Sequence, residues 1–169
     1  TNNLTQIALL DYLTQGDAKQ NAIQFIEGRT FNQLKRTLLE NPNIQHDTES
    51  LTEQEILLQI GATETVAEGL FFPDTYFFIK GDSDMHILRR AYQAMQTHLQ
   101  TAWHLRSEDL PLTTPYEALI LASIIEKETG MESDRAQIAG VFINRLRKGM
   151  KLQTDPSIIY GLGEQFDGN

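Results

Sequence analysis

The sequence predicts an α+β fold, in which a small mixed unit precedes a mainly helical region with one helix buried in the core. Strand-like and helical spacings alternate within the first forty residues, which indicates a small α/β unit over residues 1–45. Helical periodicity dominates residues 46–169 and is clearest over residues 84–105. Residues 118–125 are apolar nearly all round, a pattern typical of a helix that runs through the interior.

Within the first unit, an amphipathic stretch over residues 4–13 comes before a short predicted strand over residues 22–26. A turn at Glu27-Gly28 separates this strand from a predicted helix over residues 30–39, in which apolar side chains recur at helical spacing. Residues 41–50 are rich in Asn, Asp, Ser and Pro, a composition typical of a loop. We therefore expect the boundary between the two regions near residue 45.

The second region opens with a predicted helix over residues 52–60. Gly61 is expected to close this helix, because glycine tolerates the left-handed conformation common at helix ends. The aromatic block at residues 68–79 contains Pro73, which excludes a regular helix there. Extended arms joined by a turn are the predicted structure of this block.

The clearest local signal begins the predicted core helix. Thr114 reads as its N-cap, Pro115 occupies the first helical position, and Glu117 is placed to reach back to the cap in a capping box. The apolar residues 118–125 follow, and a second helix is predicted over residues 133–148.

Composition excludes several classes of function. The chain has 14 basic and 23 acidic residues and a formal net charge of −9, which argues against nucleic acid and anionic lipid as partners. It has no cysteine, and no apolar stretch approaches the roughly 20 residues of a membrane helix. No phosphate-binding loop is present, and the sequence predicts neither a metal nor a cofactor. The four histidines lack metal-ligand spacing: His46, His86, His98 and His104.

Two glutamates at the end of the predicted core helix are candidates for acid catalysis. The C-terminal end of a helix carries partial negative charge, and apolar surroundings disfavour ionisation, so an acid there is favoured in its protonated form. A protonated glutamate is what a general acid requires. Glu126 and Glu128 both satisfy this reasoning, and position alone does not choose between them. The simpler alternative is a solvated, charged helix end.

Four separate motifs occur along the chain in a fixed order. They are EGLFFPDTY at residues 68–76, LASIIEKETG at 121–130, VFINRL at 141–146 and LQTDPSIIYGLG at 152–163. Together they resemble the YceG-like (MltG) family of endolytic murein transglycosylases. The resemblance covers roughly residues 20–169.

This resemblance implies a fold and an activity. The first unit is expected to be LysM-like and the second to be a lysozyme-like catalytic domain. The implied enzyme cleaves the β-1,4 bond between N-acetylmuramic acid and N-acetylglucosamine in nascent peptidoglycan strands and leaves a 1,6-anhydro-muramoyl end. It acts in the bacterial cell envelope, on the periplasmic side of the inner membrane, alongside peptidoglycan synthases.

The resemblance also assigns site residues. The family's catalytic glutamate is the second one in the EKET motif, which is Glu128 here. Arg145 is expected either to face the cleft or to neutralise a nearby acid. Each proposed substrate contact has a structural alternative, namely a cap, a turn or a buried hydrogen bond that holds its motif in shape. The proposed substrate contacts are polar residues of the four motifs: Glu68, Tyr76, Asn144, Gln153, Thr154, Asp155 and Tyr160.

The chain begins at Thr1 and ends at Asn169 just after a Gly-rich turn, so we expect it to be part of a longer protein. The resemblance implies a membrane anchor before Thr1 and a further segment after Asn169 that completes the cleft. Two alternatives to the transglycosylase stay open. One is a non-catalytic module that binds peptidoglycan or docks a synthase, and the other is a hydrolase that leaves a reducing end.

Overall fold

The α+β class is confirmed in a computed structural model, which describes residues 20–154. The amphipathic stretch predicted over residues 4–13 lies outside these residues. In chain order the elements are β1 (Asn21–Gln24), α1 (Phe31–Leu39), β2 (Ile44–Gln45), α2 (Glu53–Ile60), β3 (Thr75–Phe78), β4 (Asp82–Ser83), α3 (Asp84–His104), α4 (Pro115–Glu128) and α5 (Glu132–Arg147).

The strands form two short pairs. β1 is antiparallel to β3, with Ile23 opposite Tyr76, and β2 is parallel to β4, with Ile44 opposite Asp82. Each pair joins one strand from residues 1–45 to one strand from residues 46–169. The division into two units at residue 45 stays a prediction.

One apolar core lies between the β1–β3 pair, α1, α2 and the first half of α3. Its members are at most 8% exposed, and they come from both sides of residue 45. Burial of this apolar surface is the main driving force for folding. The largest fully buried apolar side chains are Leu38, Ile56, Leu70, Ile87 and Leu88.

A buried polar contact ties the start of α3 to the loop that precedes α2. Asp84 is fully buried, and its carboxylate accepts hydrogen bonds from the Thr48 backbone N–H at 3.2 and 3.3 Å and from the Thr48 hydroxyl at 2.6 Å. Thr48 is also fully buried. Each partner therefore satisfies polar groups that would be costly to bury alone.

Local signals placed several helix ends correctly. Thr30 and Thr52 each cap the helix that follows through a capping box. Gly61 ends α2 in the left-handed conformation, at φ 83°, as its position predicts. Thr114 caps α4 and accepts a hydrogen bond from the Glu117 backbone N–H.

The Glu117 side chain reaches back to the cap as expected, but its main partner is the residue before the cap. Its carboxylate accepts a hydrogen bond from the Thr113 backbone N–H at 2.6 Å and another from the Thr113 hydroxyl. The Thr114 backbone N–H, the partner that a capping box predicts, makes a weaker contact with the same carboxylate. These hydrogen bonds lower the pKa of Glu117, and those from Thr113 have the largest effect.

The expectation that α4 is buried in the core is also wrong. Leu121 is the only buried residue of this helix, while Ile120 is 46% exposed. α4 packs against α3 and α5, and Tyr116 and Leu119 pack against the edge of the core, but most of its apolar side chains are only partly buried. α5 shows the same pattern, with Phe142 buried and Val141 51% exposed. Within residues 20–154, no helix is both long and apolar enough to cross a membrane.

Candidate active site

The candidate site lies where the end of α4 meets the segment that follows α5. The Thr154 hydroxyl donates a hydrogen bond of 3.1 Å to Oε2 of Glu128, the last residue of α4. Thr154 is only 3% exposed, whereas Glu128 is exposed. Glu128 and Thr154 are 26 residues apart in sequence and belong to different motifs, and this hydrogen bond brings the two motifs together.

The other two residues of the Glu-Lys-Glu sequence at this helix end make contacts elsewhere. Glu126 forms an ion pair with Arg135 of α5 at 2.9 Å. Lys127 donates a hydrogen bond of 2.7 Å from Nζ to the Gly28 carbonyl in the turn after β1. Glu126 and Lys127 therefore connect α4 to its neighbours, while Glu128 turns to the segment that carries Thr154.

The surroundings of Glu128 differ from those expected. The sequence predicted an acid at the end of a buried helix, enclosed by apolar side chains, but Leu121 is the only buried residue of this helix and Glu128 is exposed. The helix therefore does not provide the apolar environment that the prediction assumed. The neighbour of the Glu128 carboxylate is instead the hydroxyl of Thr154.

Arg145, in the last turn of α5, contacts the segment after the helix. Its Nη1 donates a hydrogen bond to the Leu152 carbonyl, and its Nη2 donates one of 3.3 Å to Oε1 of Gln153. From the sequence, Arg145 is expected either to face the cleft or to neutralise a nearby acid. The side chain instead binds the neighbouring segment, a role that no signal in the sequence identified.

The sequence profile of the YceG-like family matches residues 1–169, the whole chain. The chain belongs to the YceG-like family. Its resemblance to that family, first drawn from four motifs, is thereby confirmed.

Two relatives are much longer than this chain. It is 31% identical over 172 residues to a protein of Bacillus subtilis (strain 168) named endolytic murein transglycosylase, an alignment covering 97% of this chain and 42% of the relative. A protein of the same name from Streptococcus pneumoniae serotype 2 (strain D39 / NCTC 7466) is 36% identical over 98 residues, covering 57% of this chain and 17% of the relative. The chain thus spans less than half the length of these relatives.

Among the other residues of the YceG-like motifs, Tyr76 lies in the core and not on the wall of a cleft. It is 5% exposed, its hydroxyl donates a hydrogen bond of 2.6 Å to the Phe72 carbonyl, and its ring packs on Phe25 with centroids 4.9 Å apart. Burial raises the pKa of Tyr76 to about 12. This burial supports the structural alternative for Tyr76, because β3 turns the side chain inward. A sugar contact of Tyr76 stays a prediction.

Glu68 joins the aromatic block to α1. Both oxygens of its carboxylate lie 3.1 Å from the backbone N–H of Phe31, the first residue of that helix. Burial raises the pKa of Glu68, as does the nearby charge of Glu53, while the Phe31 N–H and the charge of Lys127 act in the opposite direction. Substrate binding by Glu68 stays a prediction.

The other residues predicted to contact substrate do not all lie at the end of α4. Gln153 and Thr154 lie together beside the α4 end, as described above. Asn144 is exposed on α5, and its Oδ1 lies 3.5 Å from a guanidinium nitrogen of Arg147. Asp155 and Tyr160 lie outside the described residues. Within residues 20–154, no cluster of three or more potential ligand side chains is arranged to hold a metal ion.

Proposed function

We propose that this chain forms part of a lytic transglycosylase that cleaves peptidoglycan glycan strands internally. The observation that carries the proposal is the hydrogen bond from Thr154 to Glu128, which joins the EKET and LQTDP motifs at one place on the surface. Support comes from the family and from relatives named endolytic murein transglycosylase.

In the proposed reaction, Glu128 begins protonated and gives its proton to the glycosidic oxygen as the bond from that oxygen to C1 of N-acetylmuramic acid breaks. The transition state has oxocarbenium-ion character. The resulting carboxylate then removes the proton from the C6 hydroxyl of the same sugar, and that oxygen attacks C1. The product carries a 1,6-anhydro bond, and Glu128 is protonated again.

One carboxyl group is sufficient for this sequence. The attacking oxygen belongs to the substrate and is already held near C1 by the sugar ring, so no water has to be activated. Hydrolases that use water need a second carboxylate to activate it or to form a covalent intermediate. The exposed position of Glu128 leaves its carboxyl group accessible to a glycan strand.

The choice of Glu128 over Glu126 rests on the family motif and is supported by their contacts. Glu126 is engaged by Arg135 in the contact between α4 and α5. Glu128 contacts Thr154, whose segment carries polar groups suited to sugar hydroxyls and acetamido groups. We place Gln153 and Thr154, with Asp155, Tyr160, Asn144 and Glu68, among the residues that contact substrate.

The finer features of the family complete the proposal. The first unit is LysM-like and the second is a lysozyme-like catalytic domain. The full-length protein is anchored in the inner membrane of a bacterium and acts on its periplasmic side, on nascent strands made by peptidoglycan synthases. No cofactor takes part.

A digest of defined strands tests the proposed function. The full-length protein is incubated with uncross-linked glycan strands, and the masses of the fragments are measured by mass spectrometry. We expect internal fragments with 1,6-anhydro-muramoyl ends, whose mass is lower by one water than that of the same fragments with reducing ends. Fragments with reducing ends would instead indicate a hydrolase, and binding without any cleavage would indicate a non-catalytic module.

A further inference from the structure

The end of α5 is shaped by a paired hydrogen-bond motif that begins at Arg145. Gly149 adopts a left-handed backbone, at φ 64°, and its N–H donates to the Leu146 carbonyl at 3.0 Å. The Met150 N–H donates to the Arg145 carbonyl at 2.9 Å. These two bonds form a Schellman motif, which reverses the chain after the helix. The backbone of Arg145 thus fixes where the following segment starts.

The side chain of Arg145 then binds the same segment farther along. One guanidinium nitrogen donates to the Leu152 carbonyl and the other to the amide oxygen of Gln153. A guanidinium group holds its donors in a rigid plane, so two bonds from one side chain restrict both position and orientation. Arg145 therefore contacts the peptide group before Gln153 and the Gln153 side chain together.

Gln153 has an unusual backbone. Its φ is 53°, and it is the one non-glycine residue within residues 20–154 with a positive φ. This conformation is disfavoured for a residue with a side chain and persists only when its surroundings hold it. The two bonds from Arg145 lie on this residue and on the carbonyl before it.

The residue after Gln153 is the one that contacts the proposed acid. Thr154 is nearly fully buried, and its hydroxyl lies 3.1 Å from Oε2 of Glu128. Because a change of φ at Gln153 redirects the chain immediately after it, the position of the Thr154 hydroxyl depends on the left-handed backbone at Gln153.

We propose that Arg145 is a positioning residue, which holds the left-handed backbone of Gln153 so that the Thr154 hydroxyl orients the Glu128 carboxyl group. The inference rests on the proposed function, since it assigns Arg145 to the reaction of Glu128. It differs from a general effect of positive charge, which is favourable at the end of any helix. Arg147 in the same turn offers the matched control, because it is ion-paired with Asp109 at 2.6 Å.

A double-mutant cycle on the full-length protein tests whether Arg145 acts through Thr154. We expect Arg145→Met and Thr154→Val each to lower kcat for glycan cleavage by about 10- to 100-fold, the range for a misplaced catalytic group, and KM to stay nearly unchanged in Arg145→Met. The double variant should be no slower than Thr154→Val alone, because both changes remove the same contact. Thr154→Ser, which keeps the hydroxyl, and Arg147→Met should retain most of the activity.

Three kinetic results would overturn the proposal. Losses that multiply in the double variant would show that Arg145 and Thr154 act independently. A change in KM alone would place Arg145 in substrate binding. Equal losses of kcat in Arg145→Met and Arg147→Met would show that the effect comes only from positive charge.

Crystal structures of the wild type and of Arg145→Met test the positioning without any reliance on cleavage. We expect the wild type to show a positive φ at Gln153 and the contact between Thr154 and Glu128, and the variant to lose both. If the variant kept the contact, Arg145 would not be the positioning residue, even in an active enzyme. If the wild type held this geometry without cutting glycan, the proposed function would fail while the structural role of Arg145 stood.

Discussion

We expect Glu128→Gln to lower the rate of glycan cleavage by about 10³-fold or more. General acid and base catalysis together contribute on this scale, and in the proposed reaction one carboxyl group provides both. Glutamine keeps the shape of the side chain and can still accept the hydrogen bond from Thr154, but it cannot transfer the proton. Cleavage is measured by the release of anhydro ends from uncross-linked strands, with strand binding measured in parallel.

Glu126→Gln is the matched control, because it makes the same chemical change two residues away. It removes an ion pair with Arg135 in which both side chains are about two-fifths exposed, so we expect at most a small loss of stability and substantial remaining activity. Both variants should bind strands and melt close to the wild type. If Glu128→Gln still cleaved glycan while Glu126→Gln did not, the assignment of the acid would have to be reversed.

We expect Asp84→Ala to lower the free energy of unfolding by about 3 kcal/mol. The change removes a carboxylate that accepts bonds from both the backbone and the hydroxyl of Thr48, and it leaves two buried donors without that acceptor. Urea denaturation measures the effect from the midpoint, provided that the slope of the transition stays the same. Thr48→Val removes only the hydroxyl, so we expect a smaller loss, of about 1–2 kcal/mol.

Glu49→Ala is the control for this pair. Glu49 follows Thr48 directly but is exposed, and substitutions at such positions change stability by about 0.5 kcal/mol or less. Equal losses for Asp84→Ala and Glu49→Ala would mean that the buried contact with Thr48 contributes little.

The features that the sequence predicted best are those decided by a few neighbouring residues. Thr114 and Gly61 lie at the ends of their helices as expected, because a cap depends on one side chain and one backbone conformation. The long helix α3 follows its periodic apolar stripe. The four motifs led to the family because they are specific in residue type and order.

The features that the sequence predicted poorly depend on contacts between distant elements. The apolar character of residues 118–125 does not reveal how completely the helix is covered by its neighbours, and only Leu121 is buried. Tyr76 resembles a sugar-binding aromatic in sequence, yet its place opposite Ile23 turns it into the core. The hydrogen bonds from Arg145 to Leu152 and Gln153 depend on the chain reversal after α5. No local pattern in the sequence predicts which groups this reversal brings together.

The three charged residues at the end of α4 fix the rotation of that helix about its axis. Successive residues of an α-helix point about 100° apart, so Glu126, Lys127 and Glu128 reach three different segments of the protein. Inserting or deleting a single residue upstream in the helix would turn this end by the same angle and misalign all three side chains simultaneously. Such a change is therefore expected to break all three contacts together, although Leu121 is the only buried residue of the helix.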